Sequence, residues 1–255
     1  MRGKVCSVCG DLVLSAYAEM DAQGRTFCPV CRRIQRPFRR AVAYGSYDGG
    51  LRDLIHLLKY NGVRPAANVL GRMLAESLAG LEDSLEKLTF EQAPILVIPV
   101  PLYKAKYRQR GFNQSELIAQ TALKLLPPGT RFELATNLLQ RRRETASQIG
   151  LTAHARRANL RGAFAVNRAE VAGREVLVVD DVYTTGATAT ECAQVLRRAG
   201  ASSVYVATVA RTMKFASKYE AMGEVASGVD EAQASGQQPG SGEVMRDHEV
   251  ETMKY

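Results

Sequence analysis

The sequence predicts an α/β protein: a mostly parallel sheet flanked by helices, with a small cysteine module at the N-terminal end. Three observations lead there. Short apolar runs at Ile95 to Val97, Val176 to Val179 and Val204 to Val209 are rich in β-branched residues, the pattern of parallel strands buried on both faces. Apolar residues at helical spacing lie ahead of the first run, at Leu51, Leu54, Ile55 and Leu58 and again from about Ala66 to Leu78. Two Cys-x-x-Cys pairs, Cys6/Cys9 and Cys28/Cys31, precede all of these.

The 255 residues suffice for one good-sized α/β domain and a small appendage. Hydrophobic content of 46% and charged content of 24% are those of a globular chain. No apolar run approaches the roughly 20 residues of a membrane span, and no apolar core follows the basic residues at the start. The chain is therefore expected in the cytoplasm, where thiols stay reduced. Net charge is +8, unevenly spread: residues 212–255 hold four basic and eight acidic side chains, which leaves the rest at +12. A body so basic suits a polyanionic ligand or nucleic acid, and charge alone does not choose between them.

Taken in order, Cys6, Cys9, Cys28 and Cys31 come first. Eighteen residues separate the two pairs, the spacing of a four-cysteine site for structural zinc with no open coordination position. Cys192, far away on a helix, reads as a small buried apolar residue. Five arginines fall between Arg32 and Arg40, either a solvated linker or a nucleic-acid contact. Ala41 to Tyr47 alternates as a strand, Asp48-Gly49-Gly50 turns the chain, and Gly62 closes the helix that follows. The pattern predicts a further helix reaching Leu88. His56 reads as a packed or exposed side chain, not a ligand.

After Ile95 to Val97, prolines at Pro99 and Pro101 stop the ladder, so the chain should leave the sheet as a stiff extended loop. Lys104, Lys106, Arg108 and Arg110 recur at every second residue and would line one side of it, where they suit phosphate oxygens. Asn113 or Ser115 then caps a helix to about Leu126, which Pro127-Pro128-Gly129 closes.

The most informative stretch is Val176-Leu177-Val178-Val179-Asp180-Asp181-Val182-Tyr183-Thr184-Thr185-Gly186-Ala187-Thr188. A buried strand ends in two acids, a Thr/Gly loop follows, and a helix begins near Ala189. Ligands of open α/β sheets bind beyond the carboxyl ends of strands, and a helix N-terminus there is a ready anion site. Backbone N–H groups of Gly186 to Ala189, with the hydroxyls of Thr184, Thr185 and Thr188, would cradle a phosphate. Capping explains one acid, not two. Vicinal ribose hydroxyls with Mg²⁺ explain both. The lysine of a nucleotide-binding P-loop is missing after Gly186.

This stretch resembles the phosphoribosyl pyrophosphate (PRPP) signature of the type I phosphoribosyltransferases. Further blocks stand beside it: Tyr47-x-Gly-x-Leu51, Lys59-Tyr-x-Gly62, Pro99-Val-Pro-Leu102, Arg110-Gly-Phe-Asn-Gln114, Thr145-x-x-Gln148-x-Gly-Leu151 and Asn159-x-x-Gly-Ala-Phe164. Together they make residues 1 to 211 similar to the ComF family, of the ComFC/GntX type. Its members join an N-terminal zinc ribbon to a type I phosphoribosyltransferase-like domain. The resemblance implies that Asp180 and Asp181 hold the ribose hydroxyls and act in catalysis, and that Thr184, Thr185, Gly186, Ala187 and Thr188 cradle the 5′-phosphate. Val100, Pro101, Leu102, Tyr103 and Lys104 would face pyrophosphate. Arg141, Arg143, Thr145 and Gln148 would belong to the mobile hood loop over the site.

The expected activity is phosphoribosyl transfer from PRPP with Mg²⁺ to an acceptor the sequence does not name, with a family link to competence and DNA uptake. The alternative is a single-stranded-DNA handling protein whose PRPP site is a sensor or a relic. The expected division is a zinc ribbon and basic linker over 1–40, a phosphoribosyltransferase-like domain over 41–211, and an acidic tail over 212–255. Ala226 to Gly242 has the Gly/Ser/Ala/Gln composition of a disordered segment.

Overall fold

A computed structural model describes residues 4–13, 18–82, 93–144 and 153–213. The expected helix to Leu88, the hood-loop residues Thr145 and Gln148, and nearly all of the acidic tail lie outside them. The cysteine module is built from two small antiparallel ladders, β1 (Lys4–Val5) with β2 (Leu12–Val13) and β3 (Glu19–Met20) with β4 (Thr26–Phe27), followed by α1 (Pro29–Arg33). Such short ladders bury little apolar surface of their own, so the module leans on the sheet. Val8 accepts a hydrogen bond from the Ala41 N–H (2.7 Å), and Cys6, Cys9, Val13 and Cys28 share one apolar cluster with Phe38 and Val206.

The sheet begins with β5 (Arg40–Ser46), followed by α2 (Gly49–Tyr60) and α3 (Ala66–Glu82). Next come β6 (Ile95–Pro99), α4 (Lys104–Arg110), α5 (Gln114–Leu125) and β7 (Phe132–Leu134). A small antiparallel ladder, β8 (Leu139–Arg141) with β9 (Phe164–Val166), brackets α6 (Ala153–Leu160). The chain then runs through α7 (Arg168–Val171), β10 (Glu175–Tyr183), α8 (Ala187–Arg198) and β11 (Ser203–Arg211). Five strands form the central sheet in the order β5-β11-β10-β6-β7, and every neighbouring pair is parallel. The phosphoribosyltransferase-like architecture expected from the sequence is present.

Alternation along the central strands feeds two apolar layers. Leu177 and Val179 face the layer of α2, α3 and α5, with Leu70, Leu74 and Leu78, whereas Val176 and Val178 face α8, Leu160 and the cysteine module. The module therefore shares a face of the sheet with the helix that follows the Thr/Gly loop. Each large side chain buried here contributes about 1.5–3 kcal/mol.

The segment after Pro101 differs from expectation. Lys104–Arg110 is a helix, not an extended loop, entered from Tyr103 and closed by Gly111 at φ 78°. Lys, Ala, Arg and Gln are good helix formers, and Gly at the left-handed cap ends the run. Side chains two apart point away from each other in a helix, so the four cations do not form one row.

Where α3 crosses α5, a Cβ at Gly71 would lie 2.5 Å from Thr121 Cβ and 3.2 Å from the Ala122 nitrogen, whereas a Cβ at Gly80 meets nothing within 4 Å. Gly71→Ala should therefore destabilise the fold, because overpacking of about 1–3 kcal/mol exceeds a helix-propensity gain of about 1 kcal/mol. Gly80→Ala on the same helix should stabilise it by up to about 1 kcal/mol. Denaturant melts check the opposite signs.

Candidate active site

The strand β10 carries its acids out of the core at the cleft. Asp180 Oδ1 accepts hydrogen bonds from Ser115 Oγ (3.2 Å) and from the Asp181 N–H (2.9 Å). Asp181, almost fully buried, pairs with Lys59 Nζ at 2.7 Å. Ser115 is placed by the start of α5, where Asn113 caps the helix by accepting the Ser115 N–H (3.1 Å). The Asn113 Nδ2 donates to the Val100 carbonyl (3.1 Å), which ties the end of β6 to the same helix start.

Electrostatics follow from this crowding. Burial, then the neighbouring Asp181, pushes Asp180 up to about 7, against the pull of Lys59. Burial works against the Lys59 ammonium, yet Asp181 and Asp180 together hold it above its ordinary value. Across the cleft, burial and the charges of Arg141, Arg110 and Lys59 push Lys106 down. Cations are thus gathered closely enough to repel one another, an arrangement that favours a polyanion between them.

The Thr/Gly loop closes the next side. Gly186, at φ 73°, is the N-cap of α8, and Thr185 Oγ1 accepts the Ala187 N–H at 3.4 Å. A side chain at position 186 would collide with the Tyr183 hydroxyl, 2.2 Å from an ideal Cβ. Helix α8 begins two residues earlier than the pattern suggested, so the loop feeds directly into its first turn.

The cleft has a volume of about 430 Å³. Of the residues proposed from sequence, Asp180, Asp181, Thr184, Thr188, Val100, Pro101, Leu102, Tyr103 and Arg141 line it together. Gly186 and Ala187 line a small recess with Thr184 and Thr188, and Thr185 braces the turn from its own side. Lys104 faces a separate recess with Glu116 and Asn137, because the helical turn carries Lys106 and Arg110 to the cleft instead. Arg143 is spent on the carbonyls of Asn159 (2.8 Å) and Arg161 (3.0 Å).

One wall was not foreseen. Arg52, His56, Lys59 and Tyr60 stand four, seven and eight residues apart on α2 and share the face turned to the cleft. His56 Nε2 and the Tyr47 hydroxyl are hydrogen-bonded at 3.0 Å, and the His56 and Tyr60 ring centroids are 5.1 Å apart. The signal was the polar stripe of an amphipathic helix, opposite the apolar stripe of Ile55 and Leu58.

The four module cysteines place their Sγ atoms within 4.8 Å of one another, and Cys9 and Cys28 are 3.7 Å apart. Zn–S bonds of about 2.3 Å in a tetrahedron put sulfurs about 3.8 Å apart, so the donor set fits a metal ion such as zinc. Hydrogen bonding among the four thiols lowers Cys28, to about 6, and Cys6, and raises Cys9 and Cys31. The Cys31 N–H points at Cys28 Sγ (3.4 Å), as a metal-binding knuckle requires. Cys192 is fully buried in α8, as its apolar reading implies.

Comparison with known proteins bears on this geometry. A phosphoribosyl transferase domain model matches residues 121–238, which include β10 and the Thr/Gly loop. DNA utilization protein YhgH of Escherichia coli O157:H7 is 35% identical over 223 residues, covering 82% of this chain and 91% of that one. The chain belongs to the ComF family. Competence protein F of Haemophilus influenzae is 31% identical, covering 81% of this ComF-family chain and 84% of its own. Competence protein ComFC of Streptococcus pneumoniae is 27% identical, covering 65% and 66%. Among the described residues no helix is long and apolar enough to cross a membrane.

The raised Asp180 has a stability consequence in this ComF-family protein. Between its unfolded value of 3.8 and its folded value of about 7, the unfolded chain gives up the proton and the folded one keeps it. Stability should therefore fall as pH rises through that window. Asp180→Asn should remove this part of the decline, read as the difference between the two stability-against-pH curves. Parallel curves from pH 4 to pH 7 would contradict the raised value of this acid.

Proposed function

We propose that the cleft binds PRPP with Mg²⁺ and transfers its phosphoribosyl group to an acceptor. The observation that carries this is the meeting, in one cleft, of the acid pair of β10, the Thr/Gly loop at the start of α8 and the cations Lys106, Arg110 and Arg141. In this reading the loop amides and hydroxyls hold the 5′-phosphate, and Asp180 and Asp181 accept hydrogen bonds from the ribose hydroxyls. Mg²⁺, when bound, would neutralise phosphate charge beside these carboxylates. The bond from ribose C1 to the pyrophosphate oxygen breaks, its electron pair leaves with pyrophosphate, and the acceptor bonds to C1. The ribosyl centre is cationic on the way. Position and charge stabilisation then supply the rate, with the acids on the ribose side and the basic residues on the leaving group.

Lys59 would move from Asp181 toward the incoming anion as the ribose hydroxyls take its place. The cysteine module would hold structural zinc. The relatives' names and the basic body support a role in DNA utilisation or competence, which this reading sets in the cytoplasm. A second reading has a specific observation behind it: Arg36, Phe38, Arg39 and Arg197 line one recess, and the exposed Arg32 and Arg33 precede it in sequence at the end of α1. Such a surface suits the backbone of single-stranded DNA, and the cleft would then report PRPP to a DNA-handling protein.

PRPP with Mg²⁺ should raise the melting temperature, since a ligand at one hundred times its Kd adds about 2.7 kcal/mol. Asp180→Asn with Asp181→Asn should abolish that rise and leave the affinity for an oligonucleotide unchanged or slightly stronger. Replacing Arg33 and Arg39 by Ala should weaken DNA binding and its salt dependence. Pyrophosphate release across a panel of bases, amines and oligonucleotides tests transfer. No thermal shift in the wild type would remove the PRPP assignment, and a shift without release for any acceptor would favour the sensor.

A further inference from the structure

Behind the Thr/Gly loop lies a group of buried residues that neither the metal reading nor the cleft reading uses. Tyr183 and Arg211 are cross-strand partners at the carboxyl ends of β10 and β11, and both are buried. The Arg211 guanidinium sits 5.1 Å from the centroid of the Tyr183 ring, and the edge of Phe38 meets the same ring at 6.5 Å and 89°. The Tyr183 hydroxyl, in turn, fills the space where a side chain at Gly186 would be. The ring is therefore the floor against which the N-cap of α8 is folded.

The other side of Arg211 reaches the cysteine module. One terminal nitrogen donates to the Cys9 carbonyl, and the other pairs with Asp11 at 3.3 Å, with both side chains almost wholly buried. Asp11 is itself held by the first knuckle, where its carbonyl accepts the Cys6 N–H at 2.8 Å. A second strut runs in parallel: Arg36, beside the Cys31 sulfur, donates to Thr190 Oγ1 in the first turn of α8 at 3.3 Å. Both paths start on a cysteine knuckle and end at the anion-binding turn.

We propose that Arg211 and Tyr183 are positioning residues through which the cysteine module holds the Thr/Gly loop in its anion-binding shape, so that metal in the module and phosphate in the loop strengthen each other's binding. The physical reason is the size of the module. Ladders of two residues cannot keep the knuckles in place by packing, so metal binding supplies their order. With the knuckle loosened, the Cys9 carbonyl and Asp11 no longer fix the guanidinium, the ring loses one of its two walls, and Gly186 loses its floor. The anion side of this inference rests on the PRPP reading. The mechanical link does not.

The test uses the full chain loaded with one zinc. Amide hydrogen exchange is followed over residues 184–190, with α3 as internal reference, before and after removal of zinc by a chelator. Exchange in the loop should speed up about tenfold, within the range of ordinary couplings between sites, while α3 stays protected. Because stripping the metal risks wider unfolding, Arg211→Met with Asp11→Asn is measured with zinc bound. This pair breaks the strut without leaving a buried charge alone. Its loop should exchange faster at unchanged zinc content, and its affinity for PRPP should fall. Reciprocity requires PRPP with Mg²⁺ to raise the zinc affinity of the wild type by the factor with which zinc strengthens PRPP binding. A loop whose exchange is the same in the zinc-loaded double variant as in wild type overturns the proposal, even where PRPP binds. A loop that loosens in a protein that ignores PRPP leaves the link standing and unseats the PRPP reading.

Discussion

Everything at the cleft depends on two carboxylates carried at the end of a strand that is otherwise apolar. Val176 to Val179 are wholly buried, and the next two side chains are acids. Removing one partner of a buried ion pair costs about 3–5 kcal/mol, against at most about 1 kcal/mol for an exposed pair. The Lys59–Asp181 pair, at 17% and 6% side-chain exposure, stands near the buried end of that scale. This explains why α2 turns a polar stripe inward and why α5 begins with Asn113 and Ser115. Each serves an acid that the sheet itself cannot satisfy.

The same strand organises the opposite face. Past the acids it continues to Tyr183, which backs the Thr/Gly loop and meets Arg211 of the neighbouring strand. One nine-residue strand thus supplies the acid pair of the cleft and the support of the Thr/Gly turn. The cysteine module, packed on the α8 side, stands behind that turn and is part of how the sheet's carboxyl edge is finished.

Much of this was legible in the residues. The buried strands were legible because parallel strands leave no polar face to confuse the pattern, and the cysteines because metal ligands come at fixed spacing. The acid pair and the Thr/Gly loop were legible because both functions sit on one continuous stretch. Lys104 to Arg110 misled because alternating charge imitates an extended segment, although Gly111 marked a helix end. The place of Lys59, His56 and Tyr60 at the cleft was not legible, because it comes from α2 lying across the cleft from β10, a long-range apposition that no local pattern encodes. Arg211 and Asp11 escaped for the same reason, being 200 positions apart in the chain.

The most direct measurement is the proton balance of PRPP binding. If ribose hydroxyls and Mg²⁺ favour ionised Asp180, its pKa falls from about 7 and a proton leaves on binding. Calorimetry of PRPP–Mg²⁺ binding at pH 7 in buffers of different ionisation enthalpy reads this number, and Asp180→Asn subtracts the ligand's own protons. The expected result is an excess release of about half a proton per PRPP in the wild type. Equal release in wild type and variant, with PRPP bound to both, would contradict a ribose held by this acid pair.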